Sequence, residues 1–417
     1  MRILVLDGNE NQAVAAVRSL GMAGHVVQVG ADSSWSKAGW SRWCTGTFRY
    51  PAPQTAVDDF VDRVITEVKG QPGTLVLPMT ERTTIPISAR REAIFAAGGR
   101  LVLAPHETVL RAFDKRQTTQ IAESLGIATP RTRLISIRLE AESFAESGYF
   151  PAVLKPRSSE EVSVDGRVLA TGAPRYARNG VEFMATYDEM RSRCSALLAQ
   201  EFIEGGGAGY FALMNAGELR AEFAHRRIRD VRPTGSGSAV RESVEPEPRV
   251  REAALKILRA LRWHGVAMVE FRQLVDGTPV FLEVNGRFWN SLPLAVYAGV
   301  DFPAMVAEMA EHGDIELQTN YRRHLRCRWF LGDFRHLLEV FRGAPEGYPG
   351  TFPSRLRTLA EFIIPVPGTF HDNFTLSDPL PEIGDWIDFF FRKLPAGLKK
   401  KASDTKALNA ESRYSLS

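Results

Sequence analysis

The chain has little cysteine: Cys44, Cys194 and Cys327 are three in 417 residues, far apart and odd in number. They fit neither a disulfide framework nor a zinc cluster, so a reducing, cytoplasmic setting is the expectation. Charge excess is also missing. A formal net charge of +3 with a pI near 8.7 is too mild to argue for a nucleic-acid partner. No run of about 18 apolar residues occurs, so no segment is expected to span a membrane. The opening MRILVLDGNE meets Asp7 early and reads as a strand rather than a signal peptide. DGNENQA has one glycine where a dinucleotide fingerprint needs three, which argues against a nicotinamide or flavin site. QEFIEGGGAG lacks the Gly-Lys-Ser/Thr of a P-loop. No Ser-His-Asp or Cys-His constellation stands out, and His225 and His264, without visible partners, read as structural.

What is present is an ordinary globular composition, 44% hydrophobic and 24% charged, in a chain long enough for two or three domains. Up to about residue 112, short β-rich runs (RILVL, HVVQV, TLVLP, RLVLAP) alternate with segments of helical spacing such as Val14, Val17, Leu20 and Phe60, Val64, Val68. This alternation predicts a parallel sheet with helices on both faces. Thr80 and Glu81 follow the strand TLVLP, where such sheets place ligand contacts and where a helix cap would also stand. Asp114 then caps a helix that Gly126 closes, with Lys115 and Arg116 in its first turn against the helix dipole. From Phe150 to Gln273 the pattern becomes antiparallel, with turns at Asp165-Gly166 and Asn215-Ala216-Gly217. Arg226, Arg227, Arg229 and Arg241 surround a glycine loop and suit a carboxylate or phosphate, although edge strands also carry charge for its own sake.

The run TPVFLEVNGRFWNS carries the most chemistry. Strand alternation places Phe281, Glu283 and Asn285 on one face and Val280, Leu282 and Val284 on the other. Upstream, GVAMVEFRQL is joined to it by VDGT, and a hairpin turn centred on Asp276-Gly277 pairs Glu270 with Glu283. Facing carboxylates repel at a separation of about 5 Å, so a positive species is expected between them. Two carboxylates beside an amide suit Mg²⁺, with Mn²⁺ an alternative.

Taken in order, DK, FPAVLKP, QEFIEG, VEF and FLEVNGRFWNS resemble the ATP-grasp superfamily, and within it the carboxylate-amine ligases, over about residues 1–312. The resemblance implies a Rossmann-like α/β pre-grasp domain (1–112) and an α+β ATP-grasp domain with antiparallel sheets (113–312; lid about 150–203, metal-bearing sheet about 204–312). A C-terminal extension (313–395) and a disordered tail (396–417) would follow. It further implies that Lys115 and Lys155 bind the phosphates of ATP. Lys155 ends the strand FPAVLK, where a lone lysine is by default solvated. Gln200, Glu201, Phe202 and Ile203 would form the hinge beside adenine, with Glu204 an uncertain substitute for the family's ribose-binding acid. Glu270, Glu283 and Asn285 match its Mg²⁺ ligands, and Arg287 the arginine that steadies an acyl phosphate. Arg226 and Arg241 are the arginines expected to reach substrate.

The implied reaction is ATP-dependent ligation of a small carboxylate to an amine. A hydroxyl kinase and a regulatory protein that binds nucleotide without turnover are the alternatives. Beyond the resemblance, DWIDFFFRKLPAGLKKK (Asp385–Lys401) sets aromatics beside lysines. It is read either as a contact with an anionic membrane surface or as a helix packed on the body. Self-association as a homodimer is left open.

Overall fold

The computed structural model describes the chain apart from residues 158–159, 163–167, 171–173, 192–193, 195, 346 and 394–417. The expected turn at Asp165-Gly166, the lysines 399–401 and the tail 396–417 lie outside the described residues.

The N-terminal sheet is parallel throughout, in the order Gly46–Arg49, Val26–Ala31, Arg2–Val5, Leu75–Leu77. Both of its faces are buried, as continuous apolar strands require. Ile3 and Val5 meet Val14 and Val17 of the helix Asn11–Met22, while Leu4 and Leu6 meet Phe60 and Val64 of the helix Val57–Lys69. Two details differ from expectation. RLVLAP forms only an isolated bridge between Arg100 and Leu75, and the edge strand Gly46–Arg49, in which Phe48 alone is buried, takes a place in the sheet.

The second sheet, which includes strands of the expected lid, is antiparallel, ordered Thr132–Ile135, Leu197–Glu201, Ala152–Pro156, Arg175–Ala177. Phe144 and Phe183, from the helices Arg138–Ser147 and Gly180–Arg191, fill its core. Pro156 stays within the pairing opposite Leu197 and does not end it.

The third sheet has seven strands: Pro279–Asn285, Gly265–Gln273, Gly206–Asn215, Glu218–Arg232, Ser236–Ser243, Arg326–Arg328, Thr369–His371. Its last two strands come from the C-terminal extension and pair parallel to each other, so the extension is built into the main sheet. A buried Asp333 on the helix Phe330–Arg342 holds Arg229 and Arg328 at 2.7 Å, fastening that helix to the sheet. Trp386 and Phe389 pack against Phe334, which accounts for these aromatics by packing on the body, while Phe391 is exposed. No single helix among the described residues is long and apolar enough to cross a membrane.

Candidate active site

The hairpin that carries the acids is built less simply than its sequence suggests. Its turn is closed by Gly277 N–H to Leu274 C=O, with Gly277 at φ 83°, and the first pairs are Gln273 with Pro279 and Phe271 with Phe281. That register is one residue off a turn centred on Asp276-Gly277. A bulge between Phe281 and Glu283 then restores it, so Glu270 does face Glu283. The bulge also corrects the expected faces. Phe281, 1% exposed, turns into the core with Val284, and Leu282 lines the cavity beside Glu283 and Asn285.

Each carboxylate has a cation. Lys115 Nζ lies 3.3 Å from Glu283 Oε2, and Arg227 Nη2 lies 3.1 Å from Glu270 Oε2. Burial alone would raise the Glu283 pKa, but Lys115 and Lys155 outweigh it and hold the carboxyl well below its usual range. Asn285 donates to Glu283 Oε1 at 3.4 Å and accepts from Arg287 at 3.2 Å. Gly286 between them lies against Trp263: a Cβ there would come within 2.3 Å of the indole. Arg287 also approaches Glu81 of the N-terminal domain at 3.8 Å. Thr80 is the N-cap of Glu81's helix without making a side-chain cap; its hydroxyl donates to Asp7 instead.

Lys155 sits opposite Leu198 of the hinge strand and is 8% exposed. Burial pulls its pKa down to about 8, and Lys115 adds to that against the pull of Glu283. Lys115 opens the helix Lys115–Ser124, whose N-cap Asp114 accepts from Arg116 and Gln117. Glu283 offsets the dipole's disfavour for a cation at that end. Along the hinge, Gln200 donates to Thr132 at 3.0 Å, and the Glu201 carboxylate turns outward to Arg131 at 3.0 Å.

One cavity of about 1260 Å³ gathers Lys115, Lys155, the hinge Gln200, Glu201, Phe202 and Ile203, and the set Glu270, Glu283, Asn285 and Arg287. Glu204 is exposed and lies off it. Arg226 and Arg241 lie elsewhere, correcting their expected reach to substrate. Arg241 is 0% exposed and paired with Asp372, while Arg226 points outward to Glu242 at 3.3 Å. Arg227 and, at the strand's end, Arg232 are the arginines of that strand that line the cavity. The signal was period two: Gly209 lies between His225 and Glu270 in register, so His225 and then Arg227 share the face of the acids.

Among the described residues no group of three or more His, Cys, Asp and Glu is arranged to hold a metal ion by itself. Two carboxylates and an amide, already balanced by cations, fit a hard divalent ion that takes its other ligands from water and phosphate.

The chain is similar in sequence and in fold to known proteins. Residues 194–331 match the family model described as ATP-grasp in the biosynthetic pathway with Ter operon. A D-alanine–D-alanine ligase of Cupriavidus necator is 25% identical over 227 residues, 50% of this chain and 66% of that protein. Another from Nitrosospira multiformis is 27% identical over 216 residues, 48% of this chain and again 66% of the relative. Among solved structures, biotin carboxylase from Campylobacter jejuni superposes with a TM-score of 0.60 at 14% identity, over 78% of this chain and 74% of that one. L-amino acid ligase from Bacillus licheniformis does so with 0.56 at 17% identity, over 76% and 75%. Over residues 194–331, and over about half its length, the chain is thus similar to ATP-grasp proteins and to ligases of the carboxylate-amine type.

Proposed function

We propose that this protein joins a small carboxylate to an amine at the expense of ATP, through an acyl phosphate, releasing ADP and phosphate. The convergence in one cavity of Lys155, the hinge and the facing pair Glu270 and Glu283 with Asn285 and Arg287 carries this reading. The similarity to ligases at 25–27% identity supports it.

In this reading Glu270, Glu283 and Asn285 hold Mg²⁺, which supplies neutralisation of phosphate charge. Lys115 exchanges Glu283 for phosphate oxygens, and Lys155, already desolvated, contacts the phosphates with little further loss of hydration. The main chain at Glu201 and Ile203 meets the adenine edge. Arg287, placed by Gly286 and held near Asn285, faces the charge that builds on the acyl phosphate and its tetrahedral adduct. Phosphoryl transfer of this kind needs positioning and charge balance more than covalent help.

The test is Mg²⁺-dependent ADP release over a panel of carboxylates and amines, with hydroxylamine as a trap. A carboxylate that yields a hydroxamate, in a reaction slowed roughly 100-fold or more in Glu283→Gln, is the expected outcome. ADP release driven by a hydroxyl compound without hydroxamate would replace the ligase with a kinase.

A further inference from the structure

The C-terminal extension reaches the nucleotide end of the cavity, where the proposed function leaves it no role. Pro345 and Gly347, outside the family match at 194–331, line the cavity together with Tyr176 of the lid and Phe202 of the hinge. Tyr348 meets Tyr176 edge-on at a centroid distance of 5.1 Å and Phe202 at 6.2 Å; Tyr176 and Phe202 are themselves 6.1 Å apart. Three rings from three parts of the chain therefore close one corner. Gly347 makes the approach feasible: it sits at φ 73°, and a Cβ there would lie 2.9 Å from the Tyr176 carbonyl oxygen. The Tyr176 hydroxyl donates to Thr234 C=O at 3.4 Å, adding the glycine-rich turn after Glu218–Arg232 to the same corner.

The two sides of this contact are mounted differently. On the extension side, the helix Phe330–Arg342 leads directly to the segment. That helix is tied to the main sheet by Asp333 with Arg229 and Arg328, and by a hydrogen bond between His336 Nδ1 and Asp230 C=O. On the lid side, Tyr176 stands on the edge strand Arg175–Ala177, which among the described residues pairs only with Ala152–Pro156, the strand that carries Lys155. Any movement of the lid away from the nucleotide must separate Tyr176 from Tyr348.

We infer that Tyr348 is a positioning residue for the nucleotide: the extension forms a fixed jaw, and the lid strand bearing Lys155 docks on it through the Tyr176, Phe202 and Tyr348 rings. The inference rests on the proposed nucleotide site. Tyr348 holds the lid and touches no reacting atom, so its loss weakens nucleotide binding and leaves the metal carboxylates in place.

The experiment is calorimetric titration of the full chain with Mg²⁺ and ADP, paired with amide hydrogen exchange of residues 152–156 and 175–177. Wild type should bind ADP and gain protection in both strands. Tyr348→Ala should bind roughly threefold to tenfold more weakly, the range expected for losing edge-on aromatic contacts, and lose that protection. Tyr348→Phe should restore both, and Tyr176→Ala should reproduce the defect from the lid side. A melting temperature near wild type for Tyr348→Ala separates this from unfolding; where that variant melts early, Tyr176→Ala decides. Wild-type affinity and lid protection in both alanine variants would overturn the inference while leaving the nucleotide site intact. No ADP binding by wild type would overturn the proposed function, and the inference with it.

Discussion

Lys155 shows why single residues in this site were only partly readable. A lysine at a strand end is ordinarily solvated, and nothing in FPAVLKP says otherwise. Its burial comes from pairing with the hinge strand and from the hairpin that brings Glu283 toward it. A testable pH effect follows. With its pKa near 8, Lys155 of the metal-free protein is charged below that pH and neutral above it. Phosphate favours the charged form, so ADP should take up a proton on binding between about pH 8 and the ordinary lysine range near 10.4, and its affinity should fall as pH rises. Calorimetry at pH 9 in buffers of different ionisation enthalpy reads the uptake, which Lys155→Arg should abolish. Wild type without uptake would refute the shift. Gly286→Ala tests the neighbouring geometry: the new Cβ meets Trp263, so a stability loss of about 1–3 kcal/mol, measured by denaturant titration, is expected.

At the scale of elements, alternation and turn chemistry carried the reading where neighbours in sequence are neighbours in space. The pairing of Glu270 with Glu283 was legible for that reason, although a shifted turn and a bulge compensate each other in the hairpin. The strand Glu218–Arg232 was less legible. Five arginines look alike in HRRIRDVR and its return strand, and only the register through Gly209 separates Arg227 from Arg226. The helix Phe330–Arg342 had no signal for its anchor, because Asp333 and its arginines are about a hundred residues apart or nearly adjacent with no shared motif. Asp333→Ala should leave Arg328 without its carboxylate and Arg229 with Glu361 alone, and cost about 3–5 kcal/mol in chemical denaturation; a loss below 1 kcal/mol would deny the anchor. Glu382, in the helix Leu380–Asp388, gives a pH signature. Burial, helped by Asp385, raises its pKa to about 7. The folded state then holds its proton after the unfolded state has released it, so stability falls as pH rises from about 4.5 to about 7. Glu382→Gln should raise the melting temperature at pH 8 and leave it nearly unchanged at pH 4.

Across the whole molecule, the N-terminal domain and the extension are locked together through buried polar contacts. Arg18 pairs with Asp378 at 2.8 Å and donates to the carbonyls of Asp372, Asn373 and Asp378, while Lys37 pairs with Asp385 at 2.8 Å. Partners more than three hundred residues apart leave no periodicity, which is why the sequence reads the extension as an appendage and the structure does not. The same closure brings Glu81 of the first domain to Arg287. The claim that joins these scales is that the hinge, Lys155 and the facing acids form one Mg²⁺–nucleotide site. Titration of ADP with and without Mg²⁺, in wild type and Glu283→Gln, tests it without knowledge of either substrate. Mg²⁺ should tighten ADP binding about tenfold or more in wild type, and Glu283→Gln should bind metal-free ADP but lose that gain. An equal Mg²⁺ gain in Glu283→Gln, or no ADP binding at all, would contradict the account.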